Sequence, residues 1–274
     1  MSDRGPFEYK SVDGVDIRLD GSVLRCTLDR VKTRNALDAE MMIALADAVE
    51  AAGQDERVRV IAINANGDNF CGGADIIARN APSETKPRVG SIQRRLPAQA
   101  HRLLPTLLTV QTPVVTAVRG WAAGIGFHIA LASDFCVASE SARFWEPFLA
   151  RGFTPDSGGA WLLPRLAGVS LARDMVLLGR ELSGVEASEC RLIHRSVPDA
   201  ELDDAFEALI RQLAATPTVA YGLAKWLMFT GASLPFDQHL ANEAFALELS
   251  SRSQDFREGL EAFREKRDPG FTGR

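Results

Sequence analysis

The sequence predicts an α/β fold in which buried strands alternate with helices, followed by a helical C-terminal region. Residues 58–63 and 114–118 are short apolar runs, typical of strands buried on both faces. Each run leads into a glycine-containing turn, and the second turn opens an apolar helix that returns as a strand over residues 134–138. This repeated strand–helix order predicts a sheet with right-handed crossovers. After residue 200 the strand signal disappears.

The N-terminal elements follow from local signals. Residues 15–19 and 23–28 flank Asp20-Gly21, which predicts a β-hairpin with that pair in the turn. Asp38 is expected to cap a helix, because apolar residues follow it at helical spacing. These apolar residues are Met42, Leu45, Ala46 and Val49.

The middle of the chain is more polar. Residues 80–93 contain two prolines and mixed charge, which predicts a solvated loop. The leucines that follow predict a helix covering a pocket, which Pro105 either kinks or starts. In the C-terminal region, Ser183 and Glu186 have the spacing of a capping box. Two amphipathic helices are predicted beyond it, from Leu202, Phe206, Leu209, Ile210 and Leu213, and from Phe256, Leu260 and Phe263.

Composition excludes several classes of function. The chain has 274 residues and a formal net charge of −5, without a basic stripe, so nucleic acid is not expected as the main partner. The four cysteines lack CxxC spacing, which argues against a metal site and against disulfides. No apolar signal region or membrane-length segment is present, so we expect a cytoplasmic protein without a membrane partner.

The two glycine turns suggest a chemical role. A glycine-rich turn followed by a helix start leaves backbone N–H groups unpaired and pointing outward. Residues 72–73 and 124–126 form two such turns about fifty residues apart. If the turns face each other, their N–H groups could stabilise an oxygen that becomes negative during a reaction, as in an oxyanion hole.

Five motifs follow one another along most of the chain. They are Arg34-Asn35-Ala36-Leu37, Gly72-Gly73-Ala74-Asp75-Ile76, residues 113–144, Pro155-Asp156-Ser157-Gly158-Gly159 with Leu163-Pro164-Arg165-Leu166, and residues 183–187. Together these motifs resemble the crotonase (enoyl-CoA hydratase/isomerase) superfamily. The resemblance implies a spiral of repeated strand–helix units. It also implies a CoA-ester site in residues 1–199, an oligomerisation region in residues 200–274, and a homotrimer or homohexamer.

The resemblance also implies a substrate and a site. The substrate would be an acyl-CoA thioester, with coenzyme A as part of the substrate and neither a further cofactor nor a metal. The N–H groups of Ala74 and Ile125 would hold the thioester oxygen. Ile125 replaces a residue that is usually glycine, and its side chain would narrow the acyl pocket. Ten residues are expected to bind the substrate: Lys32, Arg34, Ala36, Gly73, Asp75, Ile76, Gly124, Phe148, Phe263 and Lys266. The last two would act from the same subunit or from a neighbouring one.

The catalytic positions depart from the family pattern. His128 and Phe148 stand where family hydratases carry two glutamates, and Glu146 is not expected to replace either. His128 is a candidate general base, or alternatively a core histidine with one hydrogen-bonded nitrogen. Asp156 matches a working aspartate of the family's dienoyl-CoA isomerases and aromatic dehalogenases. Its alternative role is the N-cap of the helix containing Trp161.

Three functions remain open from the sequence. The first is an enzyme that forms a thioester enolate and moves a proton, as an isomerase or hydratase-like enzyme, with Asp156 and His128 sharing acid and base work. The second is a CoA-ester hydrolase or an enzyme that cleaves a C–C bond. The third is a CoA-ester binding protein without catalysis. A panel of enoyl-CoA and β-ketoacyl-CoA esters would distinguish them.

Overall fold

A six-stranded sheet forms the centre of the computed structural model, which describes residues 7–76 and 88–274. Its strand order is β1-β2-β3-β4-β6-β9, and every pair except the β1–β2 hairpin is parallel. A second sheet has the order β5-β7-β8. The strands are β1 Val15–Asp20, β2 Val23–Leu28, β3 Val60–Ala65, β4 Val114–Val118, β5 Trp121–Ala123, β6 Phe135–Ser139, β7 Arg143–Trp145, β8 Leu182–Ser183 and β9 Arg195–Val197.

Helices cover the sheet and make up the C-terminal part of the chain. The helices used below are α1 Ala39–Ala52, α2 Ser91–Arg95, α3 Ala100–Thr109, α4 Ile125–Ala132, α5 Gly159–Leu178, α6 Gly184–Glu189, α7 Leu202–Ala214, α8 Thr218–Gly231, α9 Phe236–Ser250 and α10 Gln254–Glu265. Pro105 lies inside α3. Residues 80–87 of the predicted polar loop fall outside the described residues, and its end is the short helix α2.

The local N-terminal predictions are confirmed with one shift. The hairpin forms, but Asp20 pairs with Val23, so the two-residue turn is Gly21-Ser22 instead of Asp20-Gly21. Gly21 has φ +60°, a conformation that glycine adopts readily. Asp38 caps α1 by accepting a hydrogen bond from the Met41 N–H, as its position predicts. The Ser183–Glu186 capping box of α6 is also present.

Alternation along the strands divides the core into two layers. Ile61 and Ile63 of β3 pack with α1, α3 and α4 on one face of the sheet. Val60 and Ala62 point to the other face, where α7 covers them with Phe206 and Ile210. Successive strand residues face opposite sides, so an uninterrupted apolar run is what a strand covered on both faces requires.

A glycine contact directs the chain from the main sheet into the second sheet. Gly120 follows β4 with φ +56°, and a Cβ there would lie 2.0 Å from the Asp68 carbonyl oxygen. Glycine is therefore required for the chain to turn into β5. β5 ends at Ala123, directly before α4. The second glycine turn thus starts at the end of the short sheet.

The C-terminal helices differ in how they attach to the rest of the chain. The amphipathic helix α7 belongs to the sheet's own core, while α8, α9 and α10 keep many large apolar side chains exposed. The division at residue 199 into two units remains a prediction. Among the described residues, the helices are all too short or too polar to cross a bilayer.

Candidate active site

The first glycine turn is held between two backbone segments. The Leu37 N–H donates to the Gly73 carbonyl at 2.9 Å, and the Asp75 N–H donates to the Leu37 carbonyl at 2.8 Å. Both groups that flank Ala74 therefore face Leu37, in the pattern of a parallel bridge. The Ala74 N–H consequently points to the opposite side. No acceptor for it lies among residues 7–76 and 88–274.

The second glycine turn places the N–H of Ile125 at the start of α4. Gly124 precedes the helix with φ +51°, and its N–H donates to the Trp145 carbonyl at 3.0 Å. Ile125 is the first helical residue, so its N–H has no partner within the helix. No other acceptor for it is present in the described part of the chain. The helix dipole adds positive potential at this point.

Direct contacts join the two turns. The Ala123 N–H donates to the Cys71 carbonyl at 2.9 Å, and the Cys71 N–H donates to the Trp121 carbonyl at 2.8 Å. A Cβ at Gly126 would lie 2.5 Å from the Cβ of Cys71, so only glycine lets α4 approach the first turn this closely. The structure therefore brings the two predicted turns together.

Cys71 is the one thiol in this turn. The side chain is fully buried, and burial raises the pKa of Cys71 to about 12. The thiol is therefore protonated at neutral pH and unsuited to act as a nucleophile.

A cleft of about 820 Å³ opens beside Ala74. Six residues predicted from the sequence line it: Lys32, Arg34, Ala36, Ala74, Asp75 and Ile76. Arg151 also lines the cleft and lies over the Trp145 ring, 5.5 Å from its centroid. Lys32, Arg34 and Arg151 give this cleft a cationic rim suited to phosphate groups. Arg151 was not predicted, because it reaches the cleft through the tertiary fold.

Asn35 explains the shape of the cleft's first wall. It is buried with φ +55°, and its side-chain amide donates to the carbonyls of Asn66 and Asn69 at 2.9 and 2.7 Å. Its side-chain oxygen accepts from the Arg30 N–H at 2.7 Å. Asparagine tolerates the left-handed conformation and satisfies these groups, so it fixes the turn that presents Arg34 and Ala36.

Asp156 lies in a second cavity, of about 880 Å³. The side chain is half-buried, and no hydrogen bond to its carboxylate occurs within the described residues. The interpretation of Asp156 as a helix cap is wrong. The helix α5 begins at Gly159 with Gly158 as its N-cap, and no side chain caps it. Gly158 has φ +87° and ends the turn two residues after Asp156.

A small cavity lies between the two larger spaces. Ala74 borders both this inner cavity and the cationic cleft, whereas Ile92 and Leu96 border both the inner cavity and the Asp156 cavity. The three spaces are therefore neighbours, and Ile92 and Leu96 lie between the inner cavity and the Asp156 cavity. The described residues do not place Asp156 and Ala74 in one cavity.

His128 is completely buried and occupied by hydrogen bonds. Its Nδ1 lies 2.8 Å from Ser157 Oγ, and its Nε2 lies 2.7 Å from Glu146 Oε1. The Phe148 ring stacks on it at 5.9 Å between centroids. Both nitrogens are bonded, in contrast to the single bond expected of a core histidine. His128 therefore presents no free nitrogen to either cavity, which argues against the predicted role as general base.

Glu146 and Ser157 were missed as site residues. No spacing in the sequence links Glu146 to His128, because the two residues meet through the pairing of β5 with β7. Phe148, Gly73, Gly124 and Ile125 are buried beside the turns instead of lining the cationic cleft. Phe148 contacts the Gly124 turn, since a Cβ there would lie 3.5 Å from its ring.

Two predicted binding residues lie away from the cleft. Phe263 is 83% exposed on α10, and Lys266 is exposed with φ +56° at the end of that helix. Neither lines the cavities near Ala74 or Asp156 in this chain. Their predicted contact with coenzyme A would have to come from a neighbouring subunit. Within residues 7–76 and 88–274, no group of three His, Cys, Asp or Glu residues is arranged to bind a metal.

Comparisons with known proteins match this geometry. Residues 18–274 match the family model for enoyl-CoA hydratase/isomerase. The chain is 37% identical to a 1,2-epoxyphenylacetyl-CoA isomerase of Escherichia coli, over 92% of this chain and 95% of the relative. It is 36% identical to a probable enoyl-CoA hydratase of Rhodobacter capsulatus, over 90% of this chain and 93% of the relative. A crystal structure of a putative enoyl-CoA hydratase from Streptomyces coelicolor superposes with a TM-score of 0.89 at 28% identity, covering 100% of this chain and 98% of that one.

Proposed function

The chain belongs to the enoyl-CoA hydratase/isomerase family, and from that premise we propose that it is an acyl-CoA isomerase in which Asp156 moves a proton on an enolate intermediate. The observation that carries the proposal is the pair of outward N–H groups of Ala74 and Ile125 on two joined turns. Asp156 is the half-buried carboxylate in a neighbouring cavity.

The cationic cleft supports coenzyme A as the carrier of the acyl group. Lys32, Arg34 and Arg151 can bind phosphate groups at its rim, while Ala74 borders its inner end. A thioester lying along this path would place its carbonyl oxygen at the two N–H groups. The relative from Escherichia coli is named for a CoA ester, which agrees with this substrate class.

The two N–H groups stabilise the charge that develops in the reaction. Removal of a proton beside the thioester moves an electron pair onto the carbonyl oxygen and forms an enolate. Each aimed donor contributes about 3–4 kcal/mol to such a transition state. The Asp156 carboxylate takes the proton from one carbon and returns it to another, so the double bond shifts and no atom is gained or lost.

Hydration is less suited to this site. The positions that hold the two glutamates in family hydratases are His128 and Phe148, and both are buried. Neither can activate a water molecule in the cavities. The name of the 37% identical isomerase supports the same preference.

The substitution Asp156→Asn tests the proposal. Asparagine keeps the side-chain volume but cannot accept the proton at neutral pH. We expect isomerisation of enoyl-CoA esters to fall by about 10²–10⁴-fold. Because Asp156 caps no helix, the melting temperature and the affinity for CoA esters should stay unchanged. The matched control is Asp203→Asn, which removes an exposed aspartate whose partner is Arg119.

The product distinguishes the other functions. Release of free coenzyme A would support the hydrolase, and binding without turnover across the ester panel would support a protein that has lost catalysis. An Asp156→Asn variant with the turnover of the unchanged protein would refute the proton-transfer role.

Crotonyl-CoA gives an independent measurement. We expect its hydration to be at least about 10²-fold slower than in an enzyme with the paired glutamates, because no acid–base pair is present at positions 128 and 148. The assay follows loss of the enoyl absorbance. Rapid hydration would mean that another carboxylate, such as Asp156, activates water.

A further inference from the structure

The side chains of Glu146, His128 and Ser157 form a continuous buried chain of hydrogen bonds. Glu146 Oε1 lies 2.7 Å from His128 Nε2, and His128 Nδ1 lies 2.8 Å from Ser157 Oγ. All three residues are no more than 1% exposed. The three come from different elements: the segment after β7, the helix α4 and the turn before α5.

The surrounding packing leaves the imidazole one position. A Cβ at Gly159 would lie 2.2 Å from His128 Nε2 and 2.8 Å from Glu146 Oε1, so the first residue of α5 lies directly against the pair. Phe148 also stacks on the ring, with an angle of 12° between the planes. The ring is therefore held by contacts as well as by its two hydrogen bonds.

The carboxylate sets the direction of the hydrogen bonds. When the Glu146 side chain is a carboxylate it only accepts, and His128 Nε2 then carries the hydrogen and donates it in a hydrogen bond to Oε1. In the neutral ring Nδ1 then accepts, and the Ser157 hydroxyl donates to it. Glu146 thus fixes the tautomer of His128, and His128 fixes the hydroxyl of Ser157, by the logic through which a carboxylate orients a catalytic histidine.

A contribution to folding stability does not by itself explain why Glu146, His128 and Ser157 are hydrogen-bonded in the core. Glu146 Oε2 is buried without a hydrogen-bond partner in the described part of the molecule. Burying an unpaired carboxylate oxygen costs free energy, and a buried polar or charged group seldom stabilises a fold more than apolar side chains of the same size. Such a group nevertheless imposes a single geometry on its neighbours.

The series of hydrogen bonds from Glu146 through His128 ends at Ser157, the residue next to Asp156. The Ser157 side chain is tied to His128, while the Asp156 carbonyl lies 2.7 Å from His101 Nε2. The turn is thereby fixed from both sides, and Gly158 in the left-handed conformation completes it. The Asp156 carboxylate is left without a hydrogen bond among the described residues, so the turn itself determines where it points.

We infer that Glu146, His128 and Ser157 are positioning residues that hold Asp156 in its reactive orientation. The inference rests on the proposed role of Asp156 as the proton carrier. It gives His128 a role different from the general base suggested by its sequence position, and it gives Glu146 a role without contact to the substrate.

The test combines single and double substitutions with steady-state kinetics on an enoyl-CoA ester that the unchanged protein isomerises. Ser157→Ala removes the last hydrogen bond of the chain, and Glu146→Gln removes the charge at its start. We expect each to lower kcat by about 10–100-fold, the cost of a misplacement of roughly 1 Å. KM should change less than twofold, because none of the three residues lines the cationic cleft.

A double-substitution cycle separates positioning from general damage. Both residues act through the same series of hydrogen bonds. The kcat of the double variant Ser157→Ala, Glu146→Gln should therefore be only slightly lower than that of the more strongly affected single variant. Ser157→Thr keeps the hydroxyl and should recover most of the activity. The matched control Thr116→Val removes a buried hydroxyl pair with Ser133, far from Asp156 in the chain, and should leave kcat unchanged.

The outcomes are distinct for the two proposals. An inactive Asp156→Asn together with an unchanged kcat in folded Ser157→Ala would overturn the positioning role and leave the proposed function in place. An active Asp156→Asn would overturn both. Losses of kcat that multiply in the double variant, or that follow the melting temperature, would also overturn the positioning role. If Ser157→Thr does not fold, the cycle still decides.

Discussion

The space beside the Cα of Gly159 holds a hydrogen atom but is too small for a methyl group. An added methyl group would lie within 3 Å of His128 and Glu146, and neither the buried ring nor the backbone of α5 can easily yield. We expect Gly159→Ala to cost about 1–3 kcal/mol of unfolding free energy, as overpacking does. Urea unfolding measures it. Ala160→Ser, at the exposed next position, is the control and should stay within about 0.5 kcal/mol. Equal stability of the two variants would contradict this packing.

At the residue scale, predictions from local chemistry succeeded and those that depended on distant pairing failed. The Asp38 cap depends on residues three positions apart, so the sequence contains all that is needed. Asp156 has the residue type of a cap, but the left-handed Gly158 starts the helix later. Glu146 meets His128 only because Ala123 pairs with Trp145 across the second sheet. No pattern within either segment predicts that contact.

At the element scale, a partly buried ion pair anchors α8 to the sheet. Lys225 Nζ lies 2.8 Å from Asp134 Oδ2, which also accepts from the Val114 N–H at 2.8 Å. Lys225 donates to the Leu107 carbonyl at 2.9 Å as well. Burial lowers the pKa of Lys225 and raises the pKa of Asp134, so desolvation outweighs their mutual attraction.

Lys225→Met tests this anchor. It leaves a buried carboxylate without its cation, which typically costs about 3–5 kcal/mol. We expect a loss near the lower end of this range, because Asp134 still accepts a hydrogen bond from the Val114 N–H and its side chain is 16% exposed to solvent. Chemical denaturation measures the loss. The control Arg252→Met breaks an exposed pair with Glu248 and should cost less than about 1 kcal/mol. A similar loss in both variants would show that Lys225 is no anchor.

Helices and strands could be predicted where they are long enough to show the period of their apolar residues. The apolar run over β4 and the amphipathic spacing of α7 were both recognised, because each spans enough residues to show its period. The strands β5, β7 and β8 contain two or three residues, too few for any period. The second sheet was therefore not predicted, although it joins the glycine turns and delivers Glu146.

At the scale of the whole molecule, the C-terminal helices leave an extended apolar surface. Met228, Phe236, Phe245, Leu247 and Phe263 on α8, α9 and α10 are each more than half exposed. Isolated apolar side chains on a surface are ordinary, but this many on three consecutive helices are typical of an interaction surface. The predicted trimer or hexamer would cover them, and it would bring Phe263 and Lys266 near a neighbouring subunit.

Light scattering coupled to gel filtration tests the assembly. We expect a mass three or six times that of one chain. Phe245→Glu places a charge on the exposed apolar surface, and burying it between subunits would cost several kcal/mol, so the mass should fall toward that of one chain. Gln238→Glu adds the same charge at an exposed polar position of α9 and is the matched control.

If Phe263 and Lys266 contact coenzyme A across the interface, the dissociated variant should also bind CoA esters more weakly at an unchanged melting temperature. A single-chain mass for the unchanged protein would refute the assembly, and with it any role for those two residues in binding.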